Sequence, residues 1–405
     1  MTKINISVSQ TGQNAVLHTM LAGTFLSRAG YFMTWPYLSV VLYRQFGLSA
    51  SLIGVIFFMT SASGLLIGVF GSYYSDRLGR ERALVASLLL SVVGFAMMAY
   101  SNHPVEFVIA MTFIATGRAC TESFSKAMIG DHVKDISQRE RFQYIRYYIV
   151  NIGTALGPLA GTFALATPKV NIFIFSSVIY LVYAIMLMGI IGTFQVERNN
   201  ERKLTLGIIS SLHIVFSQKS FSKLLMCYFL VMFIYVSFDS PLIQLLTRLH
   251  FPDLTLTIST IFMTNAVTVI VCQYPVLLIL RKFNAKGKII LGILFISTAQ
   301  LCFMMAYFDI LALIVIATFI LSIGELITMP AFSVEVDRLA PENLRGTSFG
   351  LINLTSLGTS LCPLFCGFFI DAEWGYAMFL FLFFTGLISI FLYCSVAERT
   401  SDRQI

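Results

Sequence analysis

Of the 405 residues, 57% are hydrophobic and only 12% charged, too little charge to clothe a soluble domain of this size. The apolar residues gather in successive blocks of about twenty, the length a helix needs to cross a hydrocarbon core, and the short alternating strands of a membrane β-barrel are absent. The net charge of +7 calls for no nucleic-acid partner, because the cations gather in alternate loops as topology signals and suit anionic headgroups.

Residues 1–15 are polar, with Lys3 as an early cation; they do not read as a cleaved signal, since the apolar block that follows is long enough to span. Twelve spans are predicted, near 16–43, 51–72, 83–101, 105–130, 143–167, 171–194, 221–247, 255–280, 288–307, 310–336, 346–369 and 375–397. The longest break in hydropathy, 195–220, contains Glu197, Arg198, Glu201, Arg202 and Lys203. It divides the chain into an N-terminal six-helix half (1–194), a central cytoplasmic linker (195–220) and a C-terminal six-helix half (221–405). With the two tails, one set of alternate loops carries roughly twenty cations and the other about three, which puts both termini in the cytoplasm. The seven cysteines lie in apolar segments and read as small hydrophobes rather than disulfide partners.

Between spans 2 and 3, a surface turn needs a glycine to reverse and cations to hold the cytoplasmic side. Gly79, Arg77 and Arg80 are explained by that need alone. Asp76, an acid at the very end of a span, is not; it suits an electrostatic partner such as another helix's N-terminus. These residues resemble the signature loop of the major facilitator superfamily, G-x-L-a-D-R-x-G-R-[RK], although the leading glycine falls on Ser72 with a glycine displaced to Gly71. In span 5, Gly153, Gly157 and Gly161 stand four residues apart beside Pro158. Small residues at that spacing let helix backbones approach closely. A bare small-x3-small pattern is generic packing, whereas the full G-x3-G-P-x2-G run resembles the antiporter motif of drug:proton exporters in this superfamily. Its implied role is conformational. About 205 residues on, span 11 repeats the pattern with Gly358, Cys362, Pro363 and Cys366, as expected of parallel transporter halves. The resemblance covers residues 16–397. It implies the major facilitator fold, with spans 1, 4, 7 and 10 lining a central cavity.

Ionisable residues inside the apolar blocks are Arg28 in span 1, Arg118, Glu122 and Lys126 in span 4, Arg146 in span 5, Asp239 in span 7 and Glu325 in span 10. Each costs several kcal/mol facing lipid and is expected to face the bundle interior with a partner. Arg118, Glu122 and Lys126 form one stripe at i, i+4, i+8, and six of the seven fall on the four spans that the resemblance makes cavity-lining. A structural ion pair locking two helices remains an equal account for any one of them. Taken together they suit a wet cavity handling charged cargo or protons.

Proton coupling needs a group that loads and releases a proton, which a buried carboxylate can do and an arginine cannot. The candidates are Asp239, Glu325 and Glu122, with Glu122 less suited because Arg118 and Lys126 flank it. Candidate cavity residues are Arg28, Tyr37, Arg118, Lys126, Arg146, Asn265 and Gln273; Trp35 and Pro36, beside Tyr37, read as a kink or interfacial element. No histidine pair has metal-ligand spacing, Cys362 and Cys366 fit small-residue packing better than a metal pair, and no P-loop occurs, so neither metal nor cofactor is expected.

The expected function is secondary, proton-coupled efflux of a small molecule through the inner membrane of a bacterium. Four buried cations against one acid in the N-terminal half suggest an anionic or zwitterionic cargo such as a siderophore or peptide-like compound. The chain is expected to act as a monomer and not as an enzyme. A proton-driven importer shares every feature except the span 5 motif, and a membrane sensor or enzyme would need a catalytic set that the sequence does not offer.

Overall fold

The computed structural model describes residues 2–133, 135–165, 171–193, 219–339 and 355–396; along 2–14 and 69–78, at scattered positions between 127 and 193, and at 337, it describes the backbone alone. Among the described residues every regular element is helical. The first passage is α1 (Thr2–Thr34) and α2 (Leu38–Phe46), joined by a 3-10 turn at Trp35–Tyr37. The next five are α3 (Ala50–Leu78), α4 (Arg80–Tyr100), α5 (Pro104–His132), α6 (Ile136–Leu165) and α7 (Ile172–Thr193). The seventh is again broken, with α8 (Lys219–Tyr235) and α9 (Ser240–Arg248) meeting at a 3-10 turn over Val236–Phe238. There follow α10 (Leu254–Ile279), α11 (Ala285–Phe303), α12 (Leu311–Leu339), α13 (Leu357–Asp371) and α14 (Gly375–Cys394).

Twelve passages result, one for each predicted span. Eight contain an apolar stretch long enough to cross a bilayer with at most two charges, and α13 is a shorter apolar helix. The first, fourth and fifth passages hold the ionic residues of the N-terminal half. Large apolar side chains such as Phe163, Phe175, Ile279 and Phe391 stand on the outside, as they do where lipid replaces water.

By packing, the residues fall into two units, Met1–Leu48 with Ile56–Glu201, and Ser49–Val55 with Arg202–Ile405. The expected linker, 195–220, lies outside the described residues except for its last two. In the first unit α1 packs on α6 and α7, and α4 packs on α5 and α7. In the second, α8 packs on α13 and α14, and α11 packs on α12 and α14. The same pairs of passages meet in each unit: first with fifth and sixth, third with fourth and sixth. The repeat extends to the helix breaks. Pro36 lies in the first and Pro241 just after the second, at the same spacing of 205 residues that separates Pro158 from Pro363.

Close backbone approach explains the glycines of α6. A methyl group on Gly157 would come to 2.8 Å of the Ala29 carbonyl oxygen, and one on Gly161 to 2.5 Å of that of Met33, both on α1. Gly358 of α13 lies against the backbone of α8 at Phe229 and Phe233 in the same manner. Between α3 and α4, Gly79 has φ 97°, a conformation side-chain-bearing residues rarely adopt, and Arg80 begins the next helix. The side chains of Asp76 and Arg77 lie outside the described residues.

Candidate functional site

The first unit gathers its ionic side chains at one place. The α-helical repeat sets Arg118, Glu122 and Lys126 on a single face of α5; α1 brings Arg28 and α6 brings Arg146. Glu122 is the centre. Its Oε1 lies 3.1 Å from Lys126 Nζ and 3.7 Å from Arg146 Nη2, and its Oε2 lies 3.8 Å from Arg28 Nη1 and 4.0 Å from Arg118 Nη1. Four cations thus share one carboxylate, leaving the group three positive charges in excess. Only the Lys126 contact is within hydrogen-bond reach.

Arg28, Arg118, Glu122 and Arg146 wall a small pocket open in part to solvent, with Thr24, Ser27, Tyr31, Thr121, Ser125, Val150 and Tyr180 completing the lining. The arginines are held from behind by rings. The Arg28 guanidinium sits 5.1 Å above Phe32 and that of Arg118 5.0 Å above Tyr31, each a cation–π contact that does not use up hydrogen-bond donors. Tyr31 in turn stacks on Trp35 at 5.2 Å, and Trp35 meets Phe57 at 5.1 Å. Arg146 is the most buried of the cations. The Nε atoms of Arg28 and Arg146 are buried without a hydrogen-bond partner.

The second unit holds a different kind of acid. Glu325 on α12 accepts a 2.8 Å hydrogen bond from Asn265 Nδ2 of α10, and the same amide donates to Ser322 Oγ at 3.0 Å. Ser322 in turn donates a hydrogen bond to the Thr318 carbonyl at 2.7 Å. Tyr235, at the end of α8, also hydrogen-bonds the carboxylate. Among the described residues no cation lies within ion-pair distance of Glu325.

The other candidates lie elsewhere. Asp239 stands at the break between α8 and α9, where its amide and carbonyl bridge the 3-10 turn to the next helix. Gln273 sits two turns beyond Asn265 on α10, partly buried, with its Oε1 unpartnered. Tyr37 does not wall the pocket around Glu122. It is buried and its hydroxyl reaches α6, 3.2 Å from the Pro158 carbonyl and 3.1 Å from Thr162 Oγ1. Its neighbours Trp35 and Pro36 form the kink itself.

Sequence reasoning missed several polar residues. Glu335 on α12 is 3% exposed and takes a two-pronged contact from Arg338, at 3.0 and 2.5 Å; the i, i+3 spacing was visible, but the residue lay at a span's edge. Ser237 of the seventh-passage break donates to Gln300 of α11 at 2.8 Å, with both side chains fully buried. No periodicity distinguishes such uncharged partners from solvent-facing ones. Among the described residues no three His, Cys, Asp or Glu side chains gather where a metal could be held.

Comparison with known proteins agrees with this architecture. The sequence model of the Major Facilitator Superfamily matches residues 20–357. The uncharacterized MFS-type transporter YqjV of Bacillus subtilis (strain 168) is 25% identical over 371 residues, covering 87% of this chain and 86% of that protein. Shorter matches, also 25% identical, join a Na(+), Li(+), K(+)/H(+) antiporter of Planococcus maritimus (43% of this chain, 42% of that one) and the multidrug resistance protein MdtH of Edwardsiella ictaluri (36% of each). Among solved structures, a point mutant of the nucleoside transporter NupG superposes with a TM-score of 0.78 at 10% identity, over 95% of this chain and 100% of that one. Twelve helical passages in two units that repeat the same packing, with large apolar side chains on the outside, are those of a multi-pass membrane transporter, and the chain belongs to the Major Facilitator Superfamily.

Proposed function

We propose that this chain is a proton-coupled exporter of small molecules, working by alternating access as a monomer in the plasma membrane of a bacterium, with both termini in the cytoplasm. The observation that carries the reading is the contrast between two of its membrane-embedded carboxylates. Glu122 is shared by four cations, so protonating it would leave them without their counter-charge. Glu325 is held by neutral donors, so it can take up a proton without stranding a cation and release it when its surroundings change. The first unit therefore binds cargo and the second carries the proton, with Asp239, at the helix break, as a second carrier. The excess positive charge around Glu122 favours cargo with an anionic or zwitterionic group, such as a siderophore or a peptide-like compound.

Export rather than uptake is supported by the Gly153–Gly157–Pro158–Gly161 run, which resembles the antiporter motif, and by the names of two partial relatives, one an antiporter for monovalent cations and protons, the other a multidrug resistance protein. The test is a screen of cargo against everted vesicles carrying the protein. Accumulation of an anionic or zwitterionic compound driven by inward acidification, lost in Glu325→Gln, is the expected result. Uptake by intact cells with no accumulation in everted vesicles would reverse the direction.

A further inference from the structure

The cluster around Glu122 has more donors than its own carboxylate can satisfy. Arg28 and Arg146 approach Glu122 only to 3.8 and 3.7 Å, too far for a hydrogen bond, and each keeps a buried Nε with no partner. Arg146 is 7% exposed, so water cannot satisfy it at will. Lys126, by contrast, holds Glu122 at 3.1 Å and is itself half-exposed. Lys126 therefore anchors the carboxylate, while Arg28, Arg118 and Arg146 line the pocket beside it.

Charge selects among possible occupants. The cluster carries four cations and one acid, an excess of three. A carboxylate would leave two charges uncompensated in a membrane-embedded pocket, and a doubly charged group leaves one; each uncompensated charge is costly there. Geometry points the same way. Three guanidinium forks around one space match the three terminal oxygens of a tetrahedral oxyanion better than the two of a carboxylate.

We propose that Arg28, Arg118 and Arg146 form a subsite for a doubly charged tetrahedral oxyanion, of the phosphate-monoester or phosphonate type, carried by the cargo. In this arrangement Glu122 is a built-in competitor, held on Lys126 when the oxyanion enters. The assignment rests on the transporter reading above and narrows its cargo to compounds bearing such a group.

The pocket carries its own reporter. Tyr31 lies under Arg118 and is stacked on Trp35, and the chain has only two tryptophans, so Trp374→Phe leaves Trp35 as the sole emitter. The experiment titrates the purified full-length Trp374→Phe protein in detergent with methyl phosphate at about pH 8, where the monoester is doubly charged, against acetate and chloride at matched ionic strength. Trp35 emission and the thermal midpoint are read together. Methyl phosphate is expected to give a saturable change in both, and acetate little.

Arg146→Gln and Arg28→Gln are each expected to weaken the response about tenfold or more. Arg28→Lys, which keeps the charge but loses the fork, should weaken phosphate binding in a protein that remains folded. Glu122→Gln is expected to tighten binding. Equal responses to acetate and methyl phosphate, weaker binding in Glu122→Gln, or no response to any anion would each overturn the proposal. Because the titration uses no proton gradient, its failure leaves proton-coupled export untouched. Conversely, phosphate binding that survives in Glu325→Gln without any proton-driven transport by the parent would remove the coupling and keep the subsite.

Discussion

A methyl group placed on Gly153 of α6 would come within 2.9 Å of the Cβ of Arg28 on α1, closer than carbon atoms pack. The glycine and the arginine thus form one device: the absent side chain at 153 lets α1 approach α6, and that approach carries Arg28 to the group around Glu122. Arg146 lies two turns from Gly153 on the same helix, so the spacing that glycine permits also sets the distance between the two arginines.

Gly153→Leu is therefore expected to push the helices apart, at a cost of about 1–3 kcal/mol for overpacking, and to abolish transport with the protein still inserted. Gly153→Ala should be milder, because one methyl displaces α1 less than a branched side chain does, although the Arg28 Cβ is fixed to the backbone and the helix itself must shift. Transport in everted vesicles, normalised to the amount of membrane-inserted protein, separates the two. Equal activity in Gly153→Leu and the parent would show that the close approach does not position the arginine.

Glu325 is predicted to control coupling rather than affinity. Glu325→Gln keeps the hydrogen bond with Asn265 after an amide flip and mimics the protonated acid. Cargo should bind with little change while proton release on cargo addition disappears. The measurement is the pH change of a weakly buffered detergent solution, paired with a binding isotherm on the same sample. Unaltered proton release in this variant would shift the carrier role to Asp239.

The amide of Asn265 serves two acceptors, Glu325 and Ser322. Asn265→Leu removes both bonds at once and leaves the carboxylate without that donor. In a membrane protein one interhelical hydrogen bond contributes about 1 kcal/mol or less, so the fold should survive with a modest fall in thermal midpoint. The coupling should not survive: proton release is expected to lose its steep dependence on cargo. A thermal midpoint lowered by tens of degrees would instead make this amide a structural keystone.

Much of this was legible in the sequence because membranes impose simple rules. Helix length, loop charge and the expense of burying an ion produced the twelve passages and put Arg118, Glu122 and Lys126 on one face. What was not legible depended on contacts between segments far apart in the chain. The bond from Asn265 to Glu325 joins residues 60 positions apart, and an asparagine on an apolar helix carries no periodic signal. Arg146 belongs to the fifth span, outside the four expected to line a cavity; the expense of burying an ion still makes it a cavity candidate, and only the structure shows it to be the most buried member of the cluster. On its neighbourhood alone Tyr37 reads as a cargo contact; only the distance to Pro158 and Thr162 assigns its hydroxyl to α6. The bidentate Glu335–Arg338 pair was written at i, i+3 but fell at the edge of a predicted span, where hydropathy cannot separate buried from solvated charge.

The two helix breaks lead to the last prediction. Pro36 and Pro241 occupy matching positions in the repeat, at or beside the 3-10 turns that interrupt the first and seventh passages. A proline has no amide hydrogen, and its ring crowds the preceding turn, so it favours a break there, although Pro158, Pro275, Pro330 and Pro363 lie inside continuous helices. Alanine would remove both obstacles. In the seventh passage the break also places Asp239 at the start of α9, and Ser237 is tied to Gln300 on α11, so straightening the helix would move the candidate second carrier relative to α11. Pro241→Ala is thus expected to leave the thermal midpoint nearly unchanged, because a restored backbone hydrogen bond offsets the added freedom of the unfolded chain. The transport rate should fall several-fold, and Pro36→Ala should behave alike if the breaks serve as matched hinges. Stopped-flow proton flux in proteoliposomes resolves the rate. A Pro241→Ala protein that transports at the parental rate would show that the discontinuity serves packing alone.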